Sequence, residues 1–417
     1  MFWYIDLQER TFYNYSMDTL QRVMEISPLM DVEVASEPSA PPTGEPPVDD
    51  ADVSPASSIP TARRVCAADA FPIQKVALPN GQHMPILKSA MTTVCENHCL
   101  YCAFRAGRDF QRHTFSPDEM AQAVVELTQA GVVRGAFLSS GVSGSRLQTQ
   151  DQILAAAEVL RLKMGYQGYL HIKIMPGAER AQVERAMQLA DRVSVNLEAP
   201  TTETLHRIAP EKHLAEDLLA PLRWVESIRQ TLPAWQNWKG RMPSSSTQFV
   251  VGCAGESDNQ YLRAAAYLHQ KLKLARVYYS SFNPVIDTPL ENLPPSNPWR
   301  EHRLYQASFL LRDYGYDVED FVFNATGNLL LKEDPKLAWA RLHLSEAPLD
   351  VNLADEQQLL RVPGFGPLGV KAILATRRKN PFKQMEDLRR VGVQTNRAAP
   401  FILLNGRRPA FQMALWG

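Results

Sequence analysis

From residue 86 onward the chain alternates strand-like and helix-like runs, and this alternation restricts its fold more than any other feature. Strands are expected over residues 86–91, 133–138, 169–174, 192–197, 248–251 and 276–281. Helices are expected over 116–130, 149–164, 179–190, 201–208, 214–230 and 257–272. The first carries an explicit start: Ser116 as cap, Pro117 in the first turn and Glu119 three residues on. Gly131 is its stop. Strands separated by helices pair by crossover, so the sheet is expected to be parallel, with helices outside it. The fold class is α/β.

The run Cys95-Glu-Asn-His98-Cys99-Leu-Tyr101-Cys102 places three thiols at C-x3-C-x2-C directly after the first expected strand. Thiolates this close can surround one metal centre at little loop-closure cost. Structural zinc takes four ligands, and iron–sulfur clusters usually take four Cys. No fourth Cys follows at short range. A cubane cluster on three Cys would leave one iron open to a small ligand. Two other readings compete: a zinc knuckle with His98 as fourth ligand, and three unrelated core cysteines.

The spacing, with Tyr101 before the last Cys, resembles the cluster loop of the radical S-adenosylmethionine (SAM) enzymes. The resemblance implies a partial (βα)6 TIM-like barrel and a [4Fe–4S] cluster on Cys95, Cys99 and Cys102. It also implies SAM chelated at the open iron and cleaved by one electron to a 5′-deoxyadenosyl radical. Barrel chemistry sits at the C-terminal ends of the strands, where the cysteine loop falls.

The other strand ends then become cofactor candidates. Ser139-Ser140-Gly141 stands where the family carries a glycine–glycine–acid motif for the SAM amino group. It lacks the carboxylate, so its hydroxyls and carbonyls would have to accept those hydrogen bonds. Lys173 is a candidate for the SAM carboxylate. Asn196 and Glu198 share a face by alternation and are candidates for the ribose hydroxyls or the amino group. Gly252 and Gly255 look like the family's fifth-strand motif, where bare backbone approaches adenine. Arg105 and Arg108 offer anion binding or a solvated loop. His98, His113 and His171 read as structural, and no general acid or base stands out.

Charge is unevenly placed in a chain of net −1. Residues 1–60 hold eleven Asp/Glu against two Arg, and residues 345–412 hold eleven Lys/Arg against six Asp/Glu. A basic tail with an anionic partner follows. Residues 18–26 fit one helical stretch. Residues 35–60, with seven Pro among Ser, Ala, Asp and Glu, bury too little apolar surface to offset ordering entropy. An acidic, Pro-rich, disordered N-terminal segment is therefore expected, with folding from about Cys66 and a turn at Asn80-Gly81. Beyond the triplet only Cys66 and Cys253 remain, so neither a disulfide framework nor an auxiliary cluster is expected. With no apolar run of membrane length and no leader pattern, the sequence reads as a soluble cytoplasmic protein.

The tail is the second signal. Residues 355–360 and 368–378 read as helices around Pro363-Gly364-Phe365-Gly366; a second pair, 382–390 and 396–404, flanks a turn at 391–393. This resembles the helix–hairpin–helix module of DNA-repair and DNA-uptake proteins. Gly364 and Gly366 would expose backbone N–H groups to a phosphate, with Lys371, Arg377 and Arg378 adding attraction. Leu138-Ser139-Ser140-Gly141, Ala209-Pro210-Glu211-Lys212, Arg300-Glu301-His302-Arg303 and Asp334-Pro335-Lys336, taken with this tail, are similar to radical SAM proteins assigned to DNA modification or repair. That resemblance runs from about residue 65 to the end. Four regions are expected: an extension and linker (1–64), the barrel (65–290), bridging helices (291–344) and a small all-α helix–hairpin–helix domain (345–417). The implied partners are nucleic acid, DNA first, a flavodoxin- or ferredoxin-like electron donor, and a DNA-repair protein. Alternatives are action on RNA, action on a small molecule or protein with the tail as a docking module, and a non-enzymatic iron–sulfur redox sensor on DNA.

Overall fold

The computed structural model describes residues 13–32, 41, 42, 46, 71–77 and 82–410. Most of the Pro-rich stretch, Cys66 and the Asn80-Gly81 turn lie outside these residues. The chain divides into two compact units. One comprises Met1–Ser39, Ser54–Glu256 and Lys271–Ser296; the other comprises Ala40–Val53, Ser257–Gln270 and Asn297–Gly417.

The first unit opens with α1 (Tyr13–Glu25) and a short 3-10 turn, Ser27–Val32. β1 (Ile73–Ala77) then pairs antiparallel with β2 (His83–Ala90). The chain continues through α2 (Pro117–Gln129), β3 (Gly135–Ser139), α3 (Arg146–Glu158), β4 (Tyr169–Lys173) and α4 (Arg180–Leu189). Next come β5 (Arg192–Ser194), α5 (Thr202–Ile208), α6 (Ala220–Thr231) and β6 (Ser244–Val251). α7 (Asp258–Lys271), which through Gln270 counts with the second unit, precedes β7 (Arg276–Ser281). Spatial order equals sequence order, and every pair from β2 to β7 is parallel. The sheet curls into a half-barrel.

The α/β reading and its parallel strands agree with this sheet. β1 is additional: five residues with a single Ala-flanked Val give no clear alternation to read. β5 stops three residues short of its expected end for a local reason. The Thr247 hydroxyl donates to the Val195 carbonyl and accepts from the Leu197 N–H, so a side chain replaces the ladder there. Glu198 then adopts φ 64°, a left-handed conformation costly for a residue with a Cβ.

The two faces of the sheet differ in chemistry. Leu87, Leu138, Ile172, Val193 and Phe249 are fully buried on the face toward the helices. The opposite face is polar: Lys88, His171, Lys173, Ser194, Ser246 and Gln248 are all buried there. His171 stacks on Phe137 at 4.3 Å and its Nε2 meets Ser194 Oγ at 2.8 Å. A layer buried on both faces yet polar on one suits a lumen rather than a packed core.

In the second unit α8 (Pro298–Asp313) and α9 (Pro335–Leu344) precede β8 (Leu349–Asp350), α10 (Glu356–Arg361), α11 (Pro367–Arg377), α12 (Met385–Arg390), α13 (Thr395–Ala398) and β9 (Ile402–Leu403). Leu359, Val370, Phe382, Leu388 and Ile402 share one core. The tail is not wholly helical, because β8 and β9 pair in parallel. The helix expected to reach residue 404 breaks early, since Pro400 removes an N–H donor and Ile402 pairs with Leu349. The two turns meet through their backbones: Gln394 N donates to the Gly364 carbonyl at 3.1 Å, and a Cβ on Gly364 would overlap the Gln394 carbonyl oxygen.

Candidate metal centre and cofactor cleft

Main-chain bonds fix the cysteine loop to the end of β3. Met91 N donates to Ser139 O at 2.8 Å, Gly141 N to Thr92 O at 2.7 Å, and Glu96 N to Val142 O at 2.8 Å. A Cβ at Gly141 would overlap the Val94 carbonyl oxygen, so only glycine permits this approach. Arg112 ties the loop from the far side. Its guanidinium donates to the carbonyls of Thr93, Phe104, Arg105 and Arg108 at 2.6–3.0 Å, and it stacks over Phe110. Sequence reading passed over Arg112, because four carbonyl acceptors leave no mark in residue order.

Cys95, Cys99, Tyr101 and Cys102 line one cleft of about 780 Å³, counted out to its open mouth. Ser140, Gly141, Lys173, Asn196 and Glu198 line it as well. Ser139 lies behind it in β3, and Gly252 and Gly255 are not among its lining residues. Those two glycines belong to a turn held by the Glu256 carboxylate, which accepts from the N–H groups of Gly252 and Ala254. Leu29, Met30, Lys212 and Gln248 are among the other lining residues, none of them singled out as a site residue. Lys212 was visible only as part of a motif. Its approach to Glu198 is a tertiary contact around α5 that no spacing rule encodes.

Burial governs the cleft's charges. The Glu198 carboxylate pairs with Lys212 at 3.0 Å, with side chains only 5% and 8% exposed. Burial alone would raise the Glu198 pKa, but Lys212, Lys173 and the Tyr101 hydroxyl outweigh it and hold it below the usual range. Lys173 is pushed down to about 8, chiefly by burial. Burial raises the Cys99 thiol and carries Cys102 to about 12, with neighbouring thiols adding to both. Thiolates are thus disfavoured in the bare cleft, and a cationic metal centre would reverse that preference.

Three thiols on one loop fit a soft, thiolate-bound metal centre. Among the described residues no three His, Cys, Asp or Glu side chains converge tightly enough to hold one metal ion. A cubane is wider than an ion, and its ligands need not meet at a point. All three thiols are free and face one cleft. His98 is directed elsewhere, with Nδ1 2.8 Å from Glu211 Oε1. The buried Ser140 hydroxyl, which has no hydrogen-bond partner among the described residues, adds a ready acceptor on the same wall. Arg105 and Arg108 bind carbonyls, those of His98 and of Ile286 and Ala103. His113 is buried against Glu25 at 3.1 Å.

Residues 89–268 match the radical SAM superfamily. They form a radical SAM domain. The family uses a [4Fe–4S] cluster and S-adenosylmethionine, and its enzymes draw on an electron donor. An uncharacterized protein of Methanocaldococcus jannaschii is 22% identical over 216 residues, covering 49% of this chain and 50% of the relative. This chain therefore spans about half the length of that relative. Methylornithine synthase aligns with 54% of this chain and 61% of its own, at 14% identity and a TM-score of 0.43. The FeFe-hydrogenase maturase HydG from Carboxydothermus hydrogenoformans aligns over 54% and 50%, at 14% identity and a TM-score of 0.41.

A second cleft of about 620 Å³ adjoins the cysteine-lined one, and Tyr101 lines both. Pro28, Val250, Ser280, Phe282 and Asn283 form its walls, with no charged side chain among its lining residues. No helix among the described residues is long and apolar enough to cross a membrane.

Proposed function

We propose that this chain is a radical SAM enzyme acting on nucleic acid, DNA in the first instance, in modification or repair. The observation that carries the enzyme reading is the single cleft bringing together three free thiols, the unpartnered Ser140 hydroxyl and the buried Glu198–Lys212 pair. Cys95, Cys99 and Cys102 would hold the cluster, and Ser140 would accept from the amino group of SAM. Lys173 would face its carboxylate, while Asn196 and Glu198 would orient the ribose. When bound, the cluster and SAM supply one-electron cleavage to a 5′-deoxyadenosyl radical. The protein's part is to orient the cofactor and keep water out, which the depth of Cys99 and Tyr101 favours. An uncharged neighbouring cleft suits a base or sugar better than a phosphate, so a duplex substrate would have to be flipped out or single-stranded.

The nucleic-acid reading rests on the tail. Lys371 and Arg378 are exposed beside Lys379, whereas Arg377 donates to the carbonyls of Val351 and Ala354. Exposed Leu353 and Leu368 on the same module favour a second reading, in which the tail docks a protein. Anaerobic reconstitution with SAM and dithionite, against DNA and RNA oligonucleotides and followed by mass spectrometry, is the test. The wild type should form 5′-deoxyadenosine and alter an oligonucleotide, while Cys99→Ala should do neither. A Cys99→Ala protein that retained SAM cleavage would refute the assignment. A flavodoxin- or ferredoxin-like protein is the proposed electron source in the cell.

A further inference from the structure

We infer that the segment following α1 is a strap that roofs the cofactor cleft and gates access to its thiols. Leu29 and Met30 line the cleft that holds Cys95, Cys99 and Cys102, while Pro28 lines the uncharged cleft beyond Tyr101. The three residues therefore stand between the two chambers. They are anchored, since Val23 and Ile26 are fully buried and Met30 nearly so.

The attachments are specific. Arg22 donates to the Thr114 carbonyl at 3.0 Å, pairs with Glu119 at 2.5 Å and stacks over Phe115. Glu25 pairs with the buried His113, whose carbonyl accepts from Thr93 N at the base of the cysteine loop. From the polar face of β2, the buried Lys88 ammonium donates to the Met30 carbonyl.

Two features make this a gate rather than a fixed wall. Cys99 is only 8% exposed while Cys95 and Cys102 are half-buried, and Leu29 and Met30 belong to the wall that limits access to all three. Strands and cysteine loop are held by main-chain ladders and pins, but among the described residues the strap's own main-chain bonds to backbone are local, Ile26 to Arg22 and Leu29 to Ile26. What closes it is side-chain attachment, with Arg22 and Glu119 partly in water, where ion pairs are weak. A segment held by side chains opens as a local unit, exposing Met30 and releasing the Lys88 contact, without unpairing any strand of the sheet, and closes over its ligand.

The consequence for radical chemistry rests on the proposed function, but the gate itself does not, and the two are tested apart. The full chain, reduced and anaerobic, is alkylated with N-ethylmaleimide before and after iron reconstitution, with each Cys read by mass spectrometry. Arg22→Ala with Glu25→Ala, and separately Lys88→Met, should raise labelling of Cys99 and Cys102 about tenfold while leaving Cys253 unchanged. Leu29→Ala thins the roof without touching its anchors and should act in the same direction if either of the others fails to fold. Unchanged labelling of Cys99 and Cys102 in folded variants would overturn the gate. Iron that never protects the three thiols, combined with raised labelling in the variants, would leave the gate standing and defeat the cofactor assignment.

Discussion

Glu198 concentrates what a single residue contributes here. Its backbone is left-handed and its carboxylate is buried, yet it is ionised because Lys212, Lys173 and Tyr101 surround it. Removing one partner of such a pair leaves an uncompensated buried charge, so Glu198→Ala should cost about 3–5 kcal/mol in urea unfolding. The double variant with Lys212→Met should lose less than the two singles together; simple additivity would mean the pair is not coupled. Lys336 makes a different prediction. Its ammonium donates to the Phe365 carbonyl at 2.6 Å and sits over the Tyr314 ring, and burial, with Arg397 nearby, pushes it from 10.5 to about 7. Between those values the unfolded chain holds a proton that the folded chain has lost, so stability should rise with pH across that window. The melting temperature of the wild type, measured against Lys336→Met, should climb from pH 7 toward pH 10; a flat difference would contradict the shift. Sequence gave notice of Cys95, Cys99 and Cys102 because ligand spacing is a local property. It marked Lys212 and Lys336 only as members of longer motifs, because the roles of both come from burial.

At the scale of elements, what could be read from the chain followed the range of the interactions involved. The α2 start was legible because a capping box is complete within four residues, and Ser116 and Glu119 do exchange hydrogen bonds. β7 was legible because Val277, Tyr278 and Tyr279 are β-branched and aromatic residues in a row. β5 was overread because its last three residues are extended enough to look like strand, while a threonine side chain on β6 takes the Val195 carbonyl and the Leu197 N–H. The tail turns were located from glycines, but not the way they press together. Gly364 sits at φ 86° with no room for a Cβ beside Gln394. Gly364→Ala should therefore lower stability by about 1–3 kcal/mol, and an unchanged unfolding curve would show that the two turns can part freely.

For the molecule as a whole, the acidic start and basic tail predict how binding should respond to salt. If the tail grips phosphates, the affinity of the full chain for an oligonucleotide should fall steeply with salt. Lys371→Gln and Arg378→Gln should each reduce the logarithmic slope by about one. Arg377→Gln should instead lower stability, since that guanidinium is engaged by the Val351 and Ala354 carbonyls. Salt-insensitive binding would favour a docked protein partner in place of nucleic acid.

A half-barrel differs from a closed one in having two flanks, and β2 would otherwise present one of them as a bare row of amide and carbonyl groups. β1 fills that row from residue 73 to residue 77, running the opposite way. The outer edge on that side is then β1's own, only five residues long and carrying Lys75, and a short charged edge is a poor template for a second molecule's strand. Leaving the barrel wide enough for a large guest need not, on this flank, make the protein sticky to its own kind.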